Sequence, residues 1–332
     1  MDGKIALEEH FAVRETLGES QKWAVAGTWQ ELQSRLLDIH DRRLSEMDKH
    51  GIELVILSLN SPGTQVIHER HRAVEIARIA NDALAEAIAK RPGRFAGFAA
   101  LPMQDPESAI TELTRCVKEL GFKGPMVNGF SQIGSPETVV YLDDARYRPF
   151  WAALEQLGVP LYLHPREPLP SREPIYEGHP YLSGPVWGFG VETATHALRL
   201  MCSGLFDRYP RVTVILGHLG EGLPASIWRV DHRLSKLTTG VPAKRKMSEY
   251  LRENFYLTTS GNFRTPTFIE VMMEVGSDRL LFSVDYPFEE TNEAAEWFDK
   301  LEISENDRVK IGRTNASALF KLGSVESKRH AV

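Results

Sequence analysis

The chain is 332 residues long, 25% charged and 42% apolar, with a formal net charge of −6. These are the fractions of an ordinary globular enzyme, and the dispersed basic residues offer no concentrated field to a nucleic acid or an anionic membrane. No apolar run approaches the roughly 18 residues a spanning helix needs and no signal segment opens the chain, so a soluble, cytoplasmic protein is expected.

The first predicted strand, KIALEEH (4–10), alternates its side chains between two faces, so Glu8 and His10 point together and Glu9 the other way. Glu9 reads as a solvated or salt-bridged residue. A helix follows over 29–50, with apolar positions at Leu32, Leu36, Ile39 and Leu44. Strand 53–60 and helix 69–91 come next, then strand 95–102, helix 106–120, and strand 122–128 ending in Asn128. Helix 145–158 leads to strand 160–165, which carries His164. Helix 190–209 leads to strand 212–218, which ends in His218. Helix 221–237, strand 255–261, helix 265–275, strand 280–287 with Asp285, and helices 291–301 and 304–320 complete the pattern.

Eight largely apolar strands, most of them followed directly by a helix, predict an α/β fold of the (β/α)8 barrel type, with an open doubly wound sheet as the alternative. One barrel domain is expected over 1–322, with a disordered tail over 323–332. The βα connections after strands 1 and 5 are extended, 11–28 containing Trp23 and the proline-rich 165–188 containing Trp187. Long loops of this kind close a site or meet another subunit. Cys116 and Cys202 fall in predicted helices without a CxxC partner and read as structural thiols.

Polar residues follow apolar runs at the strand ends, where each would otherwise be costly to bury: Glu8, His10, Asn128, His164, His218 and Asp285. A barrel brings those ends to one mouth. A Glu, two His and an Asp from this cluster suit a divalent cation such as Zn²⁺ or Mn²⁺, with coordination positions left for water or substrate. His218 stands three residues before Glu221, a spacing that suits a histidine oriented by a carboxylate; a structural pair is the plain alternative. Trp23, Trp187 and Phe288 could wall an aromatic ring, or simply pack. Other motifs point elsewhere. His68-Glu69-Arg70-His71 lacks the HExxH spacing, and Glu192 with His196 reads as an i,i+4 pair. Neither GxSxG nor a GxGxxG after strand 1 occurs.

GKIALEEHF, GFKGPMVNGFSQ, YLHPREPLP, ILGHLGEGLP, NFYLTTSGNF, LFSVDYPFE and DRVKIGRTNA together resemble the metal-dependent hydroxybenzoate decarboxylases of the amidohydrolase superfamily, over about residues 3–322. Two departures from the wider superfamily matter. Its strand-1 HxH is here Glu8-Glu9-His10, and Val127-Asn128 stands where binuclear members carry a carbamylated lysine. The resemblance implies a mononuclear site with Glu8, His10, His164 and Asp285 on one Mn²⁺ or Zn²⁺ per subunit, and no organic cofactor. It implies reversible, non-oxidative decarboxylation of an ortho-hydroxybenzoate, 2,6-dihydroxybenzoate foremost, with Asp285 protonating the ring. By the same resemblance Asn128 donates to a substrate hydroxyl, and Arg229 reaches a neighbouring subunit in a homotetramer built as a dimer of dimers. Taken alone, Arg229 reads as a surface salt bridge. Decarboxylation of salicylate or 2,3-dihydroxybenzoate, a lactonase-type hydrolase on the same fold, and a non-catalytic barrel are the alternatives.

Overall fold

Short apolar segments, each ending in a turn or a polar residue, build a parallel sheet whose carboxyl ends gather at one mouth. The strands are β1 (Lys4–Phe11), β2 (Ile52–Leu59), β3 (in two pieces, Phe95–Gly97 and Ala99–Ala100), β4 (Pro125–Asn128), β5 (Leu161–His164), β6 (Val214–Leu216), β7 (Phe255–Thr258) and β8 (Leu280–Leu281). They belong to a computed structural model that describes residues 1–322; the predicted tail, 323–332, lies outside the described residues. One ladder joins β1, β2 and the first piece of β3, and a second runs in order from the other piece of β3 to β8. Phe98 bridges the two pieces, its N–H donating to Leu57 O at 2.8 Å while Ala99 N donates to Gly124 O at 2.8 Å. Strand order and chain order coincide, the arrangement of a (β/α)8 barrel.

The ring is not closed by a continuous ladder. Between β1 and β8 lies a seam, held by Asp285 N to Glu8 O at 2.9 Å and His10 N to Tyr286 O at 2.6 Å. The Ser283 hydroxyl accepts from Leu7 N at 3.0 Å and from Glu8 N at 2.6 Å. Ladder pairing on β8 stops at Leu281, and the predicted strand 280–287 therefore ends early, in turns that carry Asp285.

A β-bulge in β1 settles which way the ligands face. Ala6 pairs with Val55 and Glu9 with Leu57, three residues against two. Ile5 and Leu7 consequently join Leu54, Ile56, Phe98 and Tyr162 in the apolar cluster inside the ring, and Glu8 bonds to Tyr162 from that same side. Phe320 closes this cluster from the other end, 5.7 Å from the Phe98 ring centroid. Ala6, Val55 and Leu57 pack in the larger core between sheet and helices.

Several predicted elements are revised. The helix over 29–50 is two, Trp29–Leu37 and Arg42–Lys49, because the Asp38 carboxylate accepts from the N–H groups of His40, Asp41, Arg42 and Arg43 and turns the chain. A hairpin of Ser131–Ile133 and Ser135–Val140 and a helix Met247–Asn254 had no counterpart in the reading. Glu192 and His196 do not pair: Glu192 accepts from Tyr141 Oη, and His196 Nε2 accepts from Leu142 N at 3.0 Å. Among the described residues no helix is long and apolar enough to cross a membrane.

Burial, with a smaller push from Arg199, holds the His196 pKa down at about 3. The unfolded chain therefore takes up this proton first as pH falls below the ordinary imidazole range. The stability that His196 contributes is whole above about pH 6.5 and drains away towards pH 3, at up to about 1.4 kcal/mol per pH unit. The loss of unfolding free energy between pH 7 and pH 5, measured in urea, is expected to shrink by about 2 kcal/mol in His196→Gln. An unchanged pH dependence in the variant would refute this assignment.

Candidate metal centre

Glu8, His10, His164 and Asp285 each turn one ligand atom to a common point, all four atoms within 4.8 Å of one another. His10 Nε2 lies 3.1 Å from Asp285 Oδ1, and His164 Nε2 lies 3.1 Å from Glu8 Oε1. Metal–ligand bonds of about 2.0–2.2 Å place neighbouring ligand atoms at about this spacing. Glu8 Oε1 and His10 Nε2 are buried and have no hydrogen-bond partner among the described residues, a costly state without an ion. The residues fit a single divalent cation with mixed oxygen and nitrogen ligands.

Each ligand is oriented from behind. Ser58 Oγ meets His10 Nδ1 at 3.1 Å, and His164 Nδ1 donates to Pro165 O at 2.9 Å, which leaves Nε2 of His164 with its lone pair. Tyr162 and Ser260 donate their hydroxyls to Glu8 Oε2 and so free Oε1 for the ion. Burial pushes the Glu8 carboxyl up, but His218, His164 and His10 together outweigh it and hold the group below the usual carboxylate range. Burial above all keeps His10 low and therefore neutral, as a metal ligand must be.

The turns after β6 and β8 carry the remaining polar groups. His218, Leu219, Glu221 and Asp285 have φ of 52°, 57°, 56° and 82°. Such left-handed conformations in non-glycine residues persist only where the surroundings impose them, and they gather at functional sites. His218 Nδ1 donates to Glu221 Oε1 at 2.7 Å and His218 Nε2 faces Asp285 Oδ2 at 3.5 Å. Burial would lower the His218 pKa, yet Glu221 and Glu8 outweigh it and raise it above the ordinary imidazole range.

Two glycines leave room for this arrangement. A Cβ at Gly217 would stand 2.6 Å from Glu8 Oε2, and one at Gly261 would stand 2.8 Å from His218 Cδ2 and 3.5 Å from Asp285 Oδ2. Gly261 also has φ of 58°. Gly261→Ala is expected to displace His218 and lower kcat by about 100-fold, with bound metal unchanged, as kinetics and elemental analysis would show. Wild-type turnover in that variant would contradict the packing.

A cavity of about 750 Å³ opens from the centre and is lined by Trp23, Trp187, Phe288, His164, His218 and Asp285, among others. Phe288 stands 5.7 Å edge-on to His10 and Trp23 stands 5.0 Å from Phe189. The two long loops meet over the mouth: Lys22 pairs with Glu167 at 2.6 Å, and a Cβ on Gly184 would collide with the Trp23 ring. Trp187 lies at the rim, 62% exposed. Asn128 is buried beside His164 in the ladder and does not line the cavity; its Nδ2 donates to Gln65 Oε1 at 3.3 Å and its Oδ1 has no partner among the described residues. Arg229 is exposed on helix Leu223–Leu234 and makes no ion pair among the described residues. Glu9, expected at the surface or in a salt bridge, is instead buried, and its Oε1 accepts from Val284 N at 3.1 Å. Its burial, only partly offset by Arg43, raises its pKa to about 8.

An amidohydrolase family model matches residues 41–322. The chain is 60% identical over 324 residues to gamma-resorcylate decarboxylase of Rhizobium sp. strain MTP-10005, covering 97% of this chain and 99% of that one. It superimposes with a TM-score of 0.95 and 60% identity on the crystal structure of a 2,6-dihydroxybenzoate decarboxylase complexed with 2,6-dihydroxybenzoate, covering 97% of this chain and 100% of that one. A dihydroxybenzoic acid decarboxylase from Polaromonas sp. JS666, solved with manganese and the inhibitor 2-nitroresorcinol, gives a TM-score of 0.95 at 60% identity, over 99% of this chain and 100% of that one.

Proposed function

The chain belongs to the amidohydrolase family, and we propose that it is a carboxy-lyase that converts 2,6-dihydroxybenzoate reversibly to resorcinol and CO₂, without oxidation. The observation that carries this reading is the convergence of four ligand atoms beside an acid, Asp285, whose second oxygen faces His218, in the setting of the decarboxylases it resembles at 60% identity. Mn²⁺ is the proposed ion, as in the Polaromonas relative, with Zn²⁺ the other that this donor set accepts. When bound, the cation supplies positive charge for the carboxylate and an ortho-hydroxyl oxygen of the substrate.

The chain's own residues supply walls, orientation and a proton. Phe288 and Trp23 offer apolar surface to the ring. Asp285 delivers its proton to the ring carbon bearing the carboxylate; the C–C bond breaks, its electron pair takes that proton, and CO₂ leaves. His218, oriented by Glu221 through Nδ1, faces Asp285 Oδ2 at 3.5 Å and can return a proton to that oxygen. In the carboxylation direction the same groups receive the proton. Asn128, expected to donate, has its Nδ2 engaged by Gln65; with Oδ1 unpartnered among the described residues, it is proposed to accept from a substrate hydroxyl instead.

The working unit we infer is a homo-oligomer, a tetramer of two dimers, acting in the cytoplasm. Val186, Trp187, Val191 and Trp228 are exposed on the segments that border the cavity, an apolar surface that a second copy would cover. Arg229, unpaired among the described residues, then serves the carboxylate in a neighbouring site. Incubating Mn²⁺-loaded protein with 2,6-dihydroxybenzoate, salicylate and 2,3-dihydroxybenzoate tests the reading. Stoichiometric CO₂ and resorcinol from the first acid are expected. No CO₂ from any of the three, with the ion bound, would reject it.

A further inference from the structure

Behind β1, away from the cavity, lies a layer of buried charge that the proposed chemistry does not use. Arg43, in helix Arg42–Lys49, is almost wholly buried. Its Nη2 donates to His10 O at 2.5 Å and its Nε to Asp38 O at 3.4 Å. Its guanidinium carbon stands 4.3 Å from the centroid of the Tyr286 ring, and that of Arg35 stands 4.6 Å from the same centroid. Arg35 is anchored in turn by Glu290 Oε1 at 2.6 Å. Tyr286 directly follows Asp285, and its carbonyl accepts from His10 N. Arg43 thus grips both lips of the seam between β1 and β8, one through the His10 carbonyl and the other through the Tyr286 ring.

Two physical points indicate that this grip concerns the ligands and not stability alone. A buried guanidinium is rarely worth more to folding than an apolar side chain of the same volume, and here Nη1 has no partner among the described residues. Asp285, moreover, sits at φ 82°, which its own backbone does not favour, so neighbours must hold it there. Val284 N is held by Glu9, Asp285 N by Glu8 O, and the Tyr286 ring by the two arginines. Cation–π contacts of desolvated arginines are strong enough to fix a ring.

We propose that Arg43 is a positioning residue of the metal centre: by holding the His10 carbonyl and the Tyr286 ring together, it sets the separation of the His10 and Asp285 ligand atoms across the seam. Only the kinetic consequence rests on the decarboxylase reading; the effect on the ion does not. Metal-free protein is titrated with Mn²⁺, the free ion being followed by its EPR signal, and kcat and KM are then measured at saturating Mn²⁺. Arg43→Met is expected to weaken Mn²⁺ binding by about 10- to 100-fold, the range found when groups supporting metal ligands are removed, and to lower kcat more than it changes KM. Arg43→Lys keeps a charge beside Glu9 but loses the planar stack, and is expected to fall between wild type and Arg43→Met. Tyr286→Phe keeps the ring that the two arginines face and discards only a hydroxyl that makes no hydrogen bond among the described residues, so it should bind Mn²⁺ as wild type does. Wild-type Mn²⁺ affinity and kcat in the arginine variants, with only a lowered thermal midpoint, would overturn the proposal. Arg43→Lys alone decides the matter if Arg43→Met does not fold. Should wild type release no CO₂, the functional reading fails while the Mn²⁺ series still tests the role of Arg43.

Discussion

Asp285→Asn is expected to lower kcat by about 1,000-fold or more, the upper range for loss of a positioned acid. An amide cannot deliver the proton, although its oxygen can still face His10 Nε2, now 3.1 Å from Asp285 Oδ1. The substitution also places either a neutral oxygen or an N–H where Oδ2 now faces His218 Nε2 at 3.5 Å. Metal affinity should therefore drop modestly while turnover nearly vanishes. 2,6-Dihydroxybenzoate then becomes a stable ligand, and its binding to the Mn²⁺-loaded variant can be followed through its own absorbance. A variant that turns over within tenfold of wild type would remove Asp285 from the acid role.

Glu8→Gln is the second large effect, and it acts on the ion first. Glu8 is fully buried, its Oε2 held by Tyr162 and Ser260 and its Oε1 left for the metal. The amide takes away the negative charge that Oε1 would present to the cation. Mn²⁺ affinity is expected to fall by about 100-fold or more, and activity with it, since Glu8 would bind the ion itself and not merely support another ligand. Glu9→Gln is the control one residue away. With its pKa raised to about 8, Glu9 is largely protonated at neutral pH, and a glutamine can keep the acceptor that Val284 N uses. Elemental analysis should find the metal lost from the first variant and retained in the second. The opposite pattern would mean that β1 presents its other face to the site.

The polar cluster from which the proposed ligands come was legible because its members break a rule, and the resemblance narrowed it to four. A carboxylate or imidazole at the end of an apolar strand is costly, and a barrel is the arrangement that collects such ends. Glu8 and His10 were placed on one side of their strand by alternation alone. That Ile5 and Leu7 share this side was not legible, because the bulge between Ala6 and Glu9 leaves no mark in IALEEH. Nor were Tyr162, Ser260 and Ser58, ordinary strand residues whose hydroxyls matter only once the ring of strands brings them to Glu8 and His10. Gly217 and Gly261 carry no mark within the predicted strands 212–218 and 255–261; their necessity lies in side chains distant in sequence, beside which no Cβ fits. The break at Asp38 was hidden because helical periodicity of apolar residues continues through it, while the carboxylate that stops the helix acts through backbone N–H groups. Glu9 was misplaced for a related reason: a backbone donor across the seam satisfies it, and sequence shows no such partner.

The seam between β1 and β8 makes the ion a fastener as well as a reagent. Glu8 and His10 stand on one lip and Asp285 on the other, so a cation bound by all three cross-links the two ends of the chain much as a disulfide would. Binding of this kind adds RT ln(1 + [M]/Kd) to the folding free energy, about 2.7 kcal/mol when the free ion stands at 100 times its dissociation constant. A cell short of divalent metal would accordingly hold fewer copies of the protein as well as slower ones, because withdrawing a stabilising ion raises the unfolded fraction that is cleared.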